Sequence, residues 1–209
     1  MTEVAANTIK HGDCVMGMQE LPEACADLVI CDPPYNLNKD FGEWKEKDRK
    51  AEWLPWCKSW LAECDRILRP GGNIFVYGIH HHLCWIQCHM YQMGLTYRRQ
   101  IIWYYENGFA GYRRSLAAHY EPLLWFSKGE DYTYDPIREP YKSTERLKHK
   151  ITKNGKVWTP HPEGRLASRS RSLSMPREER PHTLPVSALS VSCDNPITLP
   201  TSRTALRVR

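Results

Sequence analysis

All 8 tryptophans, 11 tyrosines and 4 phenylalanines of this 209-residue chain lie before residue 165, and so does every lysine. A hydrophobic core is built largely from bulky apolar side chains, and aromatic rings bury the most area each. The folded domain is therefore expected within residues 1–165, a length that suffices for one core. Residues 166–209 hold Ser, Pro, Thr and Arg with scattered aliphatics and no sustained helical or strand period. With no aromatic surface to bury, this segment reads as a disordered tail.

Within the first part, hydrophobic spacing sets out the elements. "DLVIC" (27–31) is an apolar run of strand length that ends at Asp32, as a buried strand would. "TIKHGD" (8–13) reads as a shorter strand closing in a Gly-Asp turn. Between 51 and 68, Trp53, Trp56, Cys57, Trp60, Leu61, Cys64, Ile67 and Leu68 recur at steps of three and four, which predicts one apolar helix face. Pro55 falls near the helix start, and "RPGG" (69–72) is expected to stop it. "NIFVY" (73–77) is the next strand. A helix over 80–93 with Leu83, Ile86, Met90 and Met93 on one side ends at Gly94. "YRRQIIWYY" (97–105) and "EPLLWFS" (121–127) follow as a strand pair. The order is βαβ-like and then strand–strand, so the fold class is α/β with a mixed, mainly parallel sheet and one antiparallel pair.

Composition excludes several classes. No apolar run approaches the roughly 18 residues of a membrane helix, and the N-terminus lacks a basic-then-apolar leader. A cytoplasmic protein without a membrane is expected. Eight cysteines, at 14, 25, 31, 57, 64, 84, 88 and 193, form no C-x-x-C pair. That argues against both a disulfide framework and a structural zinc module. His80, Cys84 and Cys88 are spaced by four, yet the expectation is exposed histidines and buried free thiols on an ordinary helix, with no metal. The net charge of +5 permits an anionic partner without requiring one.

The stretch "DLVICDPPYN" (27–36) carries the chemistry. In open α/β sheets ligands bind beyond the carboxyl ends of strands, and Asp32 stands at such an end. Its carboxylate only accepts hydrogen bonds. Pro33 and Pro34 have fixed φ and no N–H, so the carbonyl between them is a rigid second acceptor. Tyr35 offers a flat face for stacking. Two acceptors and a stacking face suit a planar heterocycle with an exocyclic NH₂; the alternative is a plain proline turn after a strand.

This stretch resembles the catalytic motif of DNA amino-methyltransferases that use S-adenosylmethionine. The resemblance extends to "HGDCVMGMQELPEACADLVICDPPYN", "ILRPGGNIFVYG" and "HYEPLLWFSKG", covering about residues 7–165 in the order of the permuted β-type. It implies a partial Rossmann-like methyltransferase sheet, double-stranded DNA as partner and S-adenosylmethionine as cofactor, in a setting of DNA methylation and restriction–modification. It further implies that Asp32 and the Pro33 carbonyl, in the Asp32-Pro33-Pro34-Tyr35 turn, accept from the target amine, that Tyr35 stacks on the extruded base, and that Asp13 and Asp32 lie at the cofactor. Asp rather than Ser at position 32 resembles adenine-N6 enzymes more than cytosine-N4 enzymes.

The basic run "YKSTERLKHKITKNGK" (141–156) holds Lys142, Arg146, Lys148, Lys150, Lys153 and Lys156 against Glu145 alone. It falls in the family's target-recognition region, near 138–160, and reads either as a solvated surface or as phosphate contacts; Arg113 and Arg114 are weaker candidates. The family's late D-x-F-x-G-x-G strand and turn, which cradles the methionine part of the cofactor, is missing, and "RPHTLP" (180–185) only echoes the segment before it. The expectation is a chain truncated or altered in reading frame near residue 168, with a companion chain as the other source of the missing part. The edge of the strand at 27–31 should then lie open. A catalytically inactive remnant that binds DNA weakly is the alternative function.

Overall fold

A computed structural model describes residues 9–37, 50–105, 116–167, 170–172, 188–192 and 205–208. The chain divides into two compact units, Tyr134–Arg169 and the remainder.

The larger unit begins with β1 (Ile9–His11), α1 (Cys14–Gln19), β2 (Ala26–Asp32), α2 (Lys50–Ile67), β3 (Leu68–Tyr77), α3 (Leu83–Gln92), β4 (Thr96–Tyr104) and β5 (Tyr120–Ser127). The smaller unit holds β6 (Arg138–Glu139), α4 (Glu145–Lys148), β7 (Ile151–Lys153), β8 (Lys156–Trp158) and β9 (Arg165–Leu166). The chain then returns to the larger unit with β10 (Ser170–Ser172), β11 (Ala188–Ser192) and β12 (Ala205–Val208).

Eight strands form one mixed sheet in the order β1-β12-β11-β2-β3-β5-β4-β10. β2 and β3 are parallel, while β5 runs antiparallel to both β3 and β4. The βαβ unit and the antiparallel pair thus stand as the hydrophobic pattern requires. The helical spacing is equally well reflected in burial. Trp53, Cys57, Trp60, Leu61, Cys64 and Ile67 of α2 are buried, as are Leu83, Ile86 and Met90 of α3. They close on Val29, Ile74, Val76, Leu124 and Phe126 of the central strands. Full burial of such side chains contributes roughly 1.5–3 kcal/mol each, so the central sheet and these two helices are the stable part. Among the described residues no helix is long and apolar enough to cross a membrane.

Several details depart from expectation. "RPGG" does not separate α2 from the next strand; it lies inside β3, which starts at Leu68 directly after α2. Gly71, at φ +79, makes this possible: its N–H donates to the Lys128 carbonyl, and a Cβ there would lie 2.9 Å from the Asp131 carbonyl oxygen. Pro55 sits in the interior of α2 rather than at its start. The helix at 80–93 begins only at Leu83. Cys84 and Cys88, expected to be buried, are exposed, because Leu83, Ile86 and Met90 take the inward face.

A further departure lies in residues 170–172, 188–192 and 205–208, the described parts of the later chain. These three segments carry strand geometry, and β11 lies parallel to β2 in the register Ala188↔Leu28 to Ser192↔Asp32. β12 runs antiparallel to β11 and to β1. The edge of β2, expected to be open, is therefore paired by the chain's own later residues. An unpaired strand edge is a template for any segment that can extend, and "ALSVS" can.

Candidate active site

β2 ends at Asp32, and the chain turns over the carboxyl end of the sheet through Pro33, Pro34, Tyr35 and Asn36. Asp32 is exposed, Pro33 buried, Pro34 and Tyr35 half-buried. The Tyr35 hydroxyl donates to Asp32 Oδ1 at 2.9 Å. The Trp53 indole N–H, from α2, donates to the Pro34 carbonyl at 2.9 Å. Asn36 is buried with φ +57, in the left-handed region that non-glycine residues seldom enter.

A small cleft opens beside this turn, lined by Pro33, Tyr35, Trp53, Tyr77, His82 and Ile86, among others. Tyr77 ends β3, and Gly78 follows it because a Cβ would stand 2.5 Å from Leu83 Cδ1. That absence of a side chain lets the start of α3 close on the strand end. The His82 ring lies 5.2 Å from the Trp53 ring. Burial pushes the Tyr35 phenol well above its ordinary range, and the neighbouring Asp32 carboxylate adds to the shift. Tyr77 is raised by burial and then by Asp32 and Glu121. Both phenols therefore stay protonated at neutral pH, and Tyr35 can donate to Asp32 throughout that range.

Asp13 is half-buried and serves as the N-cap of α1, its Oδ1 accepting from the backbone N–H groups of Val15 at 2.9 Å and Met16 at 3.0 Å. Hydrophobic spacing does not mark α1; its one sequence cue is the aspartate after a glycine turn, a helix-start signal.

The lysines of the basic run, Lys142, Lys148, Lys150, Lys153 and Lys156, divide between exposed positions of the smaller unit. Lys148 pairs with Glu145 within α4 at 2.5 Å. Lys142 and Lys150 lie outside helix and strand, while Lys153 and Lys156 face each other at the closing end of the β7–β8 hairpin. Asn154 and Gly155 make its turn with φ +52 and +73, the signs of a type I′ turn. Arg146 lies in α4, and Arg113 and Arg114 lie outside the described residues.

The sequence profile of a DNA methylase family, that of the N6 and N4 enzymes, matches residues 26–192. This chain belongs to that DNA methylase family. Among its relatives, Type II methyltransferase M1.MboII of Moraxella bovis is 30% identical over 179 residues, covering 83% of this chain and 68% of the relative. DNA adenine methyltransferase YhdJ of Escherichia coli is 28% identical, covering 62% of this chain and 44% of its own length. Among solved structures, the PvuII DNA methyltransferase, cytosine-N4-specific, superposes with a TM-score of 0.52 at 14% identity, over 81% of this chain and 57% of that one. At that identity the likeness is one of fold.

Membership of the family brings S-adenosylmethionine as methyl donor. Among the described residues, the turn after β2 suits the acceptor side of that reaction, while β11 beside it does not suit the methionine part of the donor. A cradle for the methionine part requires close backbone approach, which glycine permits. The last glycine of the chain is Gly164, and β11, the strand paired with β2 on that side, contains none.

Proposed function

We propose that this chain presents the acceptor side of a DNA adenine-N6 methyltransferase. The observation that carries the reading is the turn itself: a carboxylate at the mouth of the sheet, backed by two prolines and set beside a half-buried cleft with aromatic walls. In this reading one amine N–H of the target base donates to Asp32 and the other to the Pro33 carbonyl. Both hydrogen bonds draw the nitrogen lone pair out of conjugation with the ring, where it can attack a methyl group. The work is positioning and electrostatics. Tyr35, already hydrogen-bonded to Asp32, holds that carboxylate in place and offers its ring to the base. Asp at position 32 supports adenine over cytosine. Asp13, half-buried at the start of α1, is the proposed contact to the cofactor's adenosine. The exposed lysines of the smaller unit, with Arg146, supply phosphate contacts; Lys153 opposite Lys156 is a like-charge pair whose cost an anion would relieve. The chain acts in the cytoplasm, where its DNA is.

A base must leave the duplex before its amine can reach Asp32, at a cost of a few kcal/mol. That cost falls when the base has no partner. The test measures affinity for duplexes carrying adenine opposite an abasic site, cytosine opposite an abasic site, or fully paired bases. Adenine without a partner should bind about tenfold more tightly than paired DNA, which corresponds to about 1.4 kcal/mol. Asp32→Ala should remove the difference. Equal affinity for all three duplexes would defeat the proposal, and a preference for unpartnered cytosine would move it to the N4 reaction.

A further inference from the structure

The two prolines of the turn leave it without N–H donors of its own at positions 33 and 34. At those two positions the backbone can be held only through its acceptors. The Tyr35–Asp32 hydrogen bond is internal to the turn. The bond from the Trp53 indole to the Pro34 carbonyl is different, because it ties the turn to α2, a separate and well-buried element.

The geometry of proline makes that single bond consequential. Fixing the Pro34 carbonyl fixes the peptide plane between residues 34 and 35. The Pro34 ring locks the φ that joins this plane to the one carrying the Pro33 carbonyl, so ψ of Pro34 is the one soft angle between them. Asp32 and Pro33 each precede a proline, which confines both to extended backbone. An anchor at Pro34 is thus transmitted back through stiff joints to the Pro33 carbonyl and the Asp32 Cα. On the other side the turn ends in Asn36 at positive φ, a conformation that costs of order 1 kcal/mol and persists only when its surroundings impose it. A buried indole clamped one turn-residue away is such a surrounding. Trp53 is itself immobilised, being 7% exposed and packed near the His82 ring.

From this we infer that Trp53 is a positioning residue for the amine acceptors: its N–H sets the direction of the Pro33 carbonyl and the Asp32 carboxylate. The inference rests on the proposed function for what the acceptors receive, but the clamp is a property of the protein alone. Trp53 lies on the core-facing side of α2, yet its nitrogen acts on the turn rather than on the core.

The experiment compares wild type with Trp53→Phe, which removes the donor and keeps an aromatic ring. Trp60→Phe, on the same buried helix face, is the structural control. Nuclear magnetic resonance of the free, full chain reads the clamp directly. The Trp53 indole proton should exchange with solvent far more slowly than that of exposed Trp85. In Trp53→Phe the amide signals of Tyr35 and Asn36 should shift and exchange faster, whereas Trp60→Phe should lower the melting temperature and leave them in place. Unmoved Tyr35 and Asn36 amides in Trp53→Phe would overturn the inference, whatever the DNA results. In the duplex assay, Trp53→Phe should retain affinity for paired DNA and lose the preference for unpartnered adenine by about threefold to tenfold, the range one hydrogen bond supports. An intact preference in Trp53→Phe also overturns it. No preference in wild type is instead a failure of the functional reading, and the clamp is then decided by the amide signals.

Discussion

Tyr35 and Asp32 show how much chemistry one turn concentrates in a few atoms. The sequence identifies the carboxylate, the prolines and the aromatic face, because residue type alone determines what each can accept or stack upon. It does not indicate that the phenol points back at Asp32, since a tyrosine three residues on can equally turn its hydroxyl to water. Nor does it assign Trp53, whose helical spacing explains its burial but not its nitrogen. The left-handed Asn36 accords with residue type, as asparagine tolerates that region better than most residues other than glycine. The raised Tyr35 phenol carries a pH consequence. A folded-state pKa above the unfolded value means that the fold holds the proton more tightly. The resulting stability is complete below the ordinary tyrosine range, near 10, and is lost as pH rises past it. Urea midpoints measured from about pH 8 to about pH 11 should therefore fall less steeply for Tyr35→Phe than for wild type. Tyr77, also raised, should keep some slope in the variant. Identical slopes would mean that the Tyr35 phenol titrates as it does in the unfolded chain.

At the scale of elements, local pattern was a good guide wherever one face is buried. α2 is legible because six of its spaced apolar residues are buried against the sheet. The β4–β5 pair is legible because its strands are long and rich in β-branched and aromatic residues. The short elements of the smaller unit were not, since strands of two or three exposed or half-buried residues have no apolar alternation to read. The hairpin there announces itself only by Asn154-Gly155, the strongest two-residue turn signal. Its lysines supply the next prediction. If Lys148, Lys150 and Lys153 neutralise phosphates, log affinity for duplex DNA should fall with log salt, each contact adding a slope of about −0.9. Replacing all three by Ala should flatten the slope by up to about 2.7 units. The Lys148–Glu145 pair is exposed and contributes little to folding, so the triple variant should melt close to wild type. An unchanged slope would reduce the run to a solvated surface.

For the molecule as a whole, the decisive pairing is one that joins β2 to a segment more than 150 residues away. Non-local pairing leaves no trace in local composition, which is why residues 188–192 read as tail. Their glycine-free backbone covers the edge of β2 but gives no cradle for the methionine part of S-adenosylmethionine, so calorimetry on the purified chain should show no cofactor binding. Heat of binding above dilution would mean that the tail forms a site of another kind. The pairing itself can be tested. β11 is central, flanked by β2 on one side and β12 on the other. Val191 stands opposite Cys31, one residue before the position of Asp32 in the same register. A proline at 191 removes an N–H from a strand with neighbours on both sides, and its ring restricts φ where the strand must extend. Whichever neighbour that N–H serves, β11 loses its fit and the edge of β2 is uncovered. An uncovered apolar edge pairs with other copies. Val191→Pro should therefore lower the melting temperature and drive concentration-dependent association, measured by light scattering and sedimentation. Under dilute conditions the Tyr35 and Asn36 amides should still report an intact turn, because Trp53 holds it from α2 and not from β11. A variant that melts and sediments as wild type does would show that β11 is not what protects the strand carrying Asp32.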